Sequence, residues 1–166
     1  MTNKEKSPVY FPSMLILASV KHKSKESIIT LTWNGYASFD PLVVAVSIQP
    51  QRFSYEIISN SQEFVINIPT TQMVEKVKIC GKESGRDVDK WRKCLFSKTA
   101  SKKINTPSIE ECPVNIECKV KEILDLGSHH LILADVVNIE TDAKWIRENR
   151  YFLSYTKGDY KNIEVK

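Results

Sequence analysis

The chain has 166 residues, 42% of them hydrophobic and 27% charged, with a formal charge of +4. This is ordinary globular usage and excludes a disordered chain. The length predicts a single domain, taken here as 1–166, large enough to bury its own core. The charge excess is mild: it suits a phosphate or another small anion and falls short of implying nucleic acid.

No apolar run approaches the roughly 18 residues of a membrane span. The stretch Met14 to Val20 runs straight into Lys21-His22-Lys23. It carries no small-residue cleavage site and reads as a strand rather than a signal core. The cysteines at 80, 94, 112 and 118 form no CxxC pair, so no metal site is expected. Free thiols in a reducing cytoplasm are the expectation.

In chain order, the polar stretch Lys21 to Ser27 separates Met14–Val20 from a second strand, Ile28 to Trp33, rich in β-branched residues. Asp40-Pro41 signals a turn. The continuous apolar run Leu42 to Ile48 predicts a strand buried on both faces. Arg52 to Asn60 changes to helical spacing, with Phe53, Ile57 and Ile58 in phase and Ser54 as a candidate cap. Phe64 to Ile68 returns to strand. Thr70 opens a second helix with Met73, Val74 and Val77 on one face and Gly81 past its end. Asp87 to Cys94 reads as a short helix or a loop.

Farther on, Val114, Ile116, Cys118 and Val120 alternate with Asn115, Glu117, Lys119 and Lys121, which predicts a half-buried strand. After a turn at Asp125-Leu126-Gly127-Ser128, the segment from His129 to Ile139 is its antiparallel return. Many strands with two or three short helices point to a closed or partly closed barrel with helices at its ends. Closure would also remove exposed strand edges.

Several segments carry candidate chemistry: Thr30-Leu31-Thr32-Trp33, Ser38-Phe39-Asp40-Pro41, Ser47-Ile48 leading to Arg52-Phe53-Ser54, and Phe64-Val65-Ile66-Asn67. In this order they resemble the running pattern of the flavin reductase-like family, the FMN-binding split barrels that include flavoredoxins. The loop Cys80-Gly81-Lys82-Glu83-Ser84-Gly85-Arg86-Asp87-Val88-Asp89-Lys90-Trp91 resembles the family's Cys-Gly…Ser-Gly loop. Pro113 to Val136 resembles its Pro-x-x-x-Glu-Cys and Gly-x-His strands. The resemblance spans roughly residues 10 to 160 and rests on the joint order of these motifs.

The resemblance implies a mainly β fold, an antiparallel Greek-key split barrel with a few short helices. It implies FMN as a non-covalent cofactor, NADH or NADPH as hydride donor, and a homodimer. A flavoredoxin-like carrier would instead pass electrons to a redox partner protein. Neither version involves nucleic acid or a membrane. The cofactor-binding residues it implies are Thr30, Leu31, Thr32, Trp33, Ser47, Ile48, Arg52, Ser54, Cys80, Gly81, Ser84, Gly85 and Lys90. His129 takes the catalytic place, with Ser128 where many members carry Asp.

The residue chemistry is compatible with these roles and with plainer ones. Thr30 and Thr32 share a strand face, so both hydroxyls could address one ligand or both could line a packed barrel. Arg52 and Ser54 at a helix start suit a phosphate, and Arg52 also suits a solvated surface. Lys90 is either a phosphate ligand or one charge in a solvated run. His129 and His130 must point to opposite faces, with His130 read as surface. Cys80 reads as a packed residue, since nothing nearby favours its thiolate. Tyr155 and Tyr160 belong to a stretch, Leu153 to Tyr160 with Gly158, that resembles the family's aromatic-Gly-acidic-Tyr ending, which implies reach to the cofactor or the partner subunit, with packing as the plainer reading. A different class, an oligonucleotide-binding barrel, would need a segregated basic face, and the acidic residues here are spread along the chain.

Overall fold

A computed structural model describes residues 13–148, 151–156 and 159–164. Side chains of period two organise it. Ile16, Ala18 and Val20 point to the same interior as Ile29 and Leu31, as Val44, Val46 and Ile48, and as Phe64, Ile66 and Ile68. Ile116, Cys118, Ile132 and Ala134 complete this core. The strands that carry it are β2 (Ile16–His22), β3 (Lys25–Leu31), β5 (Val43–Ile48), β6 (Glu63–Ile68), β9 (Val114–Asp125) and β10 (His130–Thr141). With the edge strand β4 (Asn34–Ser38) they form a seven-stranded sheet in the order β3-β2-β6-β9-β10-β5-β4. All of its pairings are antiparallel.

The two edges of this sheet, β3 and β4, are consecutive in the chain and joined only by Thr32 and Trp33. The sheet therefore curls until its edges meet. At the junction the Ser47 N–H donates to the Trp33 carbonyl at 2.9 Å. Beyond it β3 pairs with β2 alone, so the barrel is split along β3. The helix α1 (Phe53–Ser61) places Ile57 and Ile58 in the interior core.

The outer face of β2 and β3 is buried as well. Leu15, Leu17 and Ile28 pack with Met73, Val77 and Cys80 and with Trp91 and Cys94. These come from a 3-10 turn (Thr71–Met73), α2 (Val74–Lys82) and α3 (Lys90–Lys93) with its end. A second sheet joins β1 (Ser13–Met14), β11 (Tyr151–Thr156) and β12 (Asp159–Glu164). A two-stranded piece joins β7 (Lys98–Thr99) to β8 (Ser108–Ile109). A last helix, α4 (Ala143–Glu148), follows β10. Among the described residues, no helix is long and apolar enough to cross a membrane.

The mainly β split-barrel expectation agrees with this architecture, and several local readings need correction. The turn before β3 shrinks to Lys23-Ser24, with Lys23 at φ 55°. The run to Ile48 is buried on one face only, since Ala45 and Ser47 are half-exposed. The α1 cap is Arg52, with no side-chain cap bond, and Ser54 lies inside the helix. Gly81 lies within α2 rather than past its end. Glu117, read as the outward side of a half-buried strand, is 1% exposed, because the segment 101–107 covers that face.

Candidate functional site

The split in the barrel wall opens on two adjoining clefts, of about 430 Å³ and about 170 Å³, which share Ile29, Gln49, Arg52 and Gly81 in their walls. Every site residue singled out from the sequence lines one or the other. Arg52, Ser54, Cys80, Gly81, Ser84, Gly85 and Lys90 line the larger cleft. Thr30, Leu31, Thr32, Trp33, Ser47, Ile48 and His129 line the smaller one, with Arg52 and Gly81. The sequence reading passed over Gln49, Gln51, Phe53, Glu83 and Arg86, which also line these walls. Arg86 was findable as the cation directly after the Ser84-Gly85 turn.

Lys90 is the most informative group. The Asp89 side chain accepts the Arg92 N–H at 3.1 Å and starts α3, so the chain turns Lys90 inward. It is 4% exposed, not part of a solvated charge run. Its Nζ donates to the carbonyls of Ile28 and Cys80, both at 2.8 Å. An ammonium has three donors, and no carboxylate pairs with this one among the described residues. A buried charge without a counter-charge is costly, and burial lowers the Lys90 pKa. An anion in the cleft would supply both the missing charge and the third acceptor.

Arg52 stands exposed at the start of α1, with Nε donating to Gln49 Oε1 at 3.2 Å. The first intrahelical bonds run from the N–H groups of Tyr55 and Glu56 to the Arg52 carbonyl. The N–H groups of Phe53 and Ser54 therefore have no intrahelical acceptor, and both residues line the larger cleft. Arg86 donates to the Gln51 carbonyl at 3.1 Å, pairs with Glu56 at 3.0 Å and lies 5.2 Å from the Phe53 ring centre.

The loop opposite is a turn pinned by its glycine. The Asp87 and Val88 N–H groups donate to the Ser84 carbonyl. A Cβ at Gly85 would fall 2.1 Å from Ser27 Oγ and 2.8 Å from the Phe53 ring, so no side chain fits there. This lets the loop sit directly on β3 and α1.

Thr30 lines the smaller cleft but departs from the packed-barrel reading. It faces α2, not the barrel interior, and its hydroxyl donates to the Val77 carbonyl at 2.6 Å. Thr32 lies past the end of β3. The Trp33 and His129 rings stack at 4.4 Å between centres, tilted by 34°. Gly127, at φ 89°, forms the turn that delivers His129, and its N–H donates to Asp125 Oδ1 at 2.8 Å. Burial, and then the charge of Arg52, lower the His129 pKa, which favours a neutral ring at pH 7.

His130 is not a free surface residue. Its Nδ1 bonds the Tyr55 hydroxyl at 2.7 Å, and its Nε2 lies 3.5 Å from Asp125. All four thiols are free and buried. Burial pushes the Cys80 and Cys112 thiols far up and that of Cys118 up to about 12. Tyr155 and Tyr160 meet edge to face at 5.3 Å against the outer core. Gly158, part of the ending read beside them, lies outside the described residues.

The comparisons with known proteins bear on the whole chain. It is 32% identical over 127 residues to an uncharacterized protein of Pyrococcus abyssi, covering 76% of this chain and 73% of that one. It is 31% identical over 125 residues to one of Archaeoglobus fulgidus, covering 75% and 69%. The fold is similar to the flavoredoxin of Methanosarcina acetivorans, with a TM-score of 0.86 at 24% identity over 100% of this chain and 92% of that one. It is also similar to an FMN-binding protein from Thermus thermophilus, with a TM-score of 0.86 at 22% identity over 100% and 97%. The family model described as flavin reductase like domain matches residues 9–164. A split barrel opening on a cation-lined cleft, with a match of that extent, makes this chain a member of the flavin reductase-like family.

Proposed function

We propose that the joined clefts bind FMN without a covalent link and that the protein is an NADH- or NADPH-dependent flavin reductase. The observation that carries this reading is Lys90, a buried ammonium in the cleft wall with two carbonyl partners and, among the described residues, no counter-charge. A phosphate suits that ammonium in charge and as an acceptor for its third donor. Arg52, Ser54 and the first-turn N–H groups of α1 add donors on the same wall. Gly85 seats the loop that carries Ser84 directly on β3 and α1, Gly81 lines both clefts, and Cys80 packs behind them.

The smaller cleft suits the ring end, with Leu31 and Ile48 as apolar wall and Trp33 as a flat surface. Thr30, Thr32 and the backbone of Ser47 supply polar groups there. When bound, FMN supplies the two-electron chemistry, accepting hydride from the reduced nicotinamide. The chain's own part is to orient donor and ring and to exclude water. His129, neutral and stacked on Trp33, flanks the place where the nicotinamide would enter.

A homodimer belongs to the same reading. Phe39 and Tyr36, 92% and 72% exposed on β4 and just beyond it, are apolar surface that a second copy would cover. The free thiols suit a reducing, cytoplasmic setting.

The test is the absorption spectrum of the purified protein reconstituted with FMN, before and after reduced nicotinamide. Bound flavin that bleaches with NADH or NADPH supports the reductase. Bound flavin that bleaches only with a reduced partner protein would make it a carrier. Failure to take up FMN would end both readings.

A further inference from the structure

The outer core holds a pair of thiols whose chemistry the flavin reading does not use. Cys80, near the end of α2, and Cys94, just past α3, place their sulfurs 3.8 Å apart. They are 0% and 2% exposed, and Cys80 also lines the larger cleft. Cys94 Sγ also lies 3.8 Å from the Lys76 carbonyl. The charged groups around the pair are Lys90, Lys76 and Glu83, and a third thiol, Cys112, stands near Cys80.

A disulfide needs sulfurs about 2.05 Å apart, so closing the bond asks for an approach of about 1.8 Å. Rotation about the two Cα–Cβ bonds and a small helix shift can provide that. Lys90 lies between these cysteines in the chain, and its ammonium grips the Cys80 carbonyl at 2.8 Å. A bond here would staple α2 to the end of α3 and close a loop that holds six residues of the cleft wall, Gly81, Glu83, Ser84, Gly85, Arg86 and Lys90.

We propose that Cys80 and Cys94 are a peroxide-oxidisable pair that closes to a disulfide on the wall of the cleft. The thiolate of one cysteine attacks a peroxide oxygen; the O–O bond breaks, water leaves and a sulfenic acid remains. The sulfur of the other displaces hydroxide from it, giving up its own proton, and the S–S bond forms. Two thiols and one hydrogen peroxide become one disulfide and two waters. Burial raises both thiol pKa values, while the hydrogen bond with Cys80 and the nearby Lys76 and Lys90 charges favour the Cys94 thiolate, which makes Cys94 the first to react.

The experiment uses the full chain, fully reduced, treated with hydrogen peroxide, then alkylated and digested with trypsin without reductant. The expected product links Ile79–Lys82 to Cys94–Lys98, two hydrogens lighter than the separate peptides together, and dithiothreitol reverses it. Cys112→Ser keeps the link and Cys94→Ser removes it. Recovery of both wild-type peptides singly alkylated or as sulfinic acids would overturn the proposal, as would a link through Cys112 instead. The proposal does not rest on the flavin reading, since its product forms in the protein alone. A missing link would leave FMN uptake untouched.

Discussion

Two regions bury charge, and they treat it in opposite ways. On the outer side of β6 and β9, Glu63 and Glu117 are nearly inaccessible, and the segment 101–106 wraps over them. Glu117 accepts from the Lys102 and Lys103 N–H groups at 2.8 and 2.7 Å and from Asn138 at 2.9 Å. Glu63 accepts from the Asn105 and Thr106 N–H groups and from the Thr106 hydroxyl. Each of those carboxylates takes three hydrogen bonds from the chain itself. Lys90, equally buried, donates to two carbonyls and, among the described residues, has no acceptor for its third N–H. A charge whose partners are all internal holds a loop in place. A charge left open beside a cleft is a group waiting for a ligand.

Breaking the carboxylate side should cost stability and nothing else. Glu117→Ala orphans two backbone donors and the Asn138 amide. We expect a loss of about 3 kcal/mol or more, seen in thermal denaturation as a fall of roughly 6–12 °C. FMN affinity should stay within error once the variant is folded. A Glu117→Ala protein as stable as the wild type would end the contrast.

Breaking the open side should do the reverse. Arg52 is exposed and carries no ion pair among the described residues, so Arg52→Ala should leave the melting temperature unchanged. It should weaken FMN by about 1.5–3 kcal/mol, roughly ten- to a hundredfold, and riboflavin hardly at all. Equal losses for both flavins would remove Arg52 from the phosphate.

pH sharpens the comparison. Burial holds the Lys90 pKa below the ordinary lysine value of 10.5. FMN affinity should therefore decline on the alkaline side before a surface lysine would lose its charge, and Lys90→Met should flatten that limb. Folding moves the other way. The unfolded chain keeps this proton to higher pH, so the stability associated with Lys90 rises as pH climbs from the folded value toward 10.5. Isothermal titration against pH checks the first part and chemical denaturation against pH the second.

The smallest effect belongs to His129. His129→Ala should leave FMN affinity nearly intact and slow hydride transfer about tenfold, equivalent to ~1.4 kcal/mol in the barrier. Stopped-flow measurement of flavin bleaching reads this directly, and an unchanged rate would return His129 to a packing role.

The sequence made much of this legible, for reasons that differ by residue. The interior strands declared themselves through apolar and β-branched runs, and Val114 to Val120 through its alternation. The site segments declared themselves through their order, and the cofactor-binding residues and His129 that the resemblance implied all line the paired clefts, while Ser38 to Pro41 and Phe64 to Asn67 do not. Partners distant in sequence stayed hidden. Nothing near Glu117 says that a segment about 15 residues upstream will fold over it. Nothing near Thr30 says that its hydroxyl will meet the Val77 carbonyl, or near His130 that it will bond Tyr55. The charge run around Lys90 reads as solvent-facing until the Asp89 cap turns the chain inward. Strand β4 escaped because an edge strand with exposed side chains carries no burial pattern.

The central claim is that an open buried ammonium selects the phosphate of a flavin. The most direct measurement is the ratio of riboflavin to FMN dissociation constants, by quenching of flavin fluorescence, in wild type and in Lys90→Met. A wild-type preference for FMN of at least tenfold that collapses toward unity in the variant is the predicted result. A wild type that binds the two flavins equally, or a Lys90→Met variant that keeps the full preference, would contradict it.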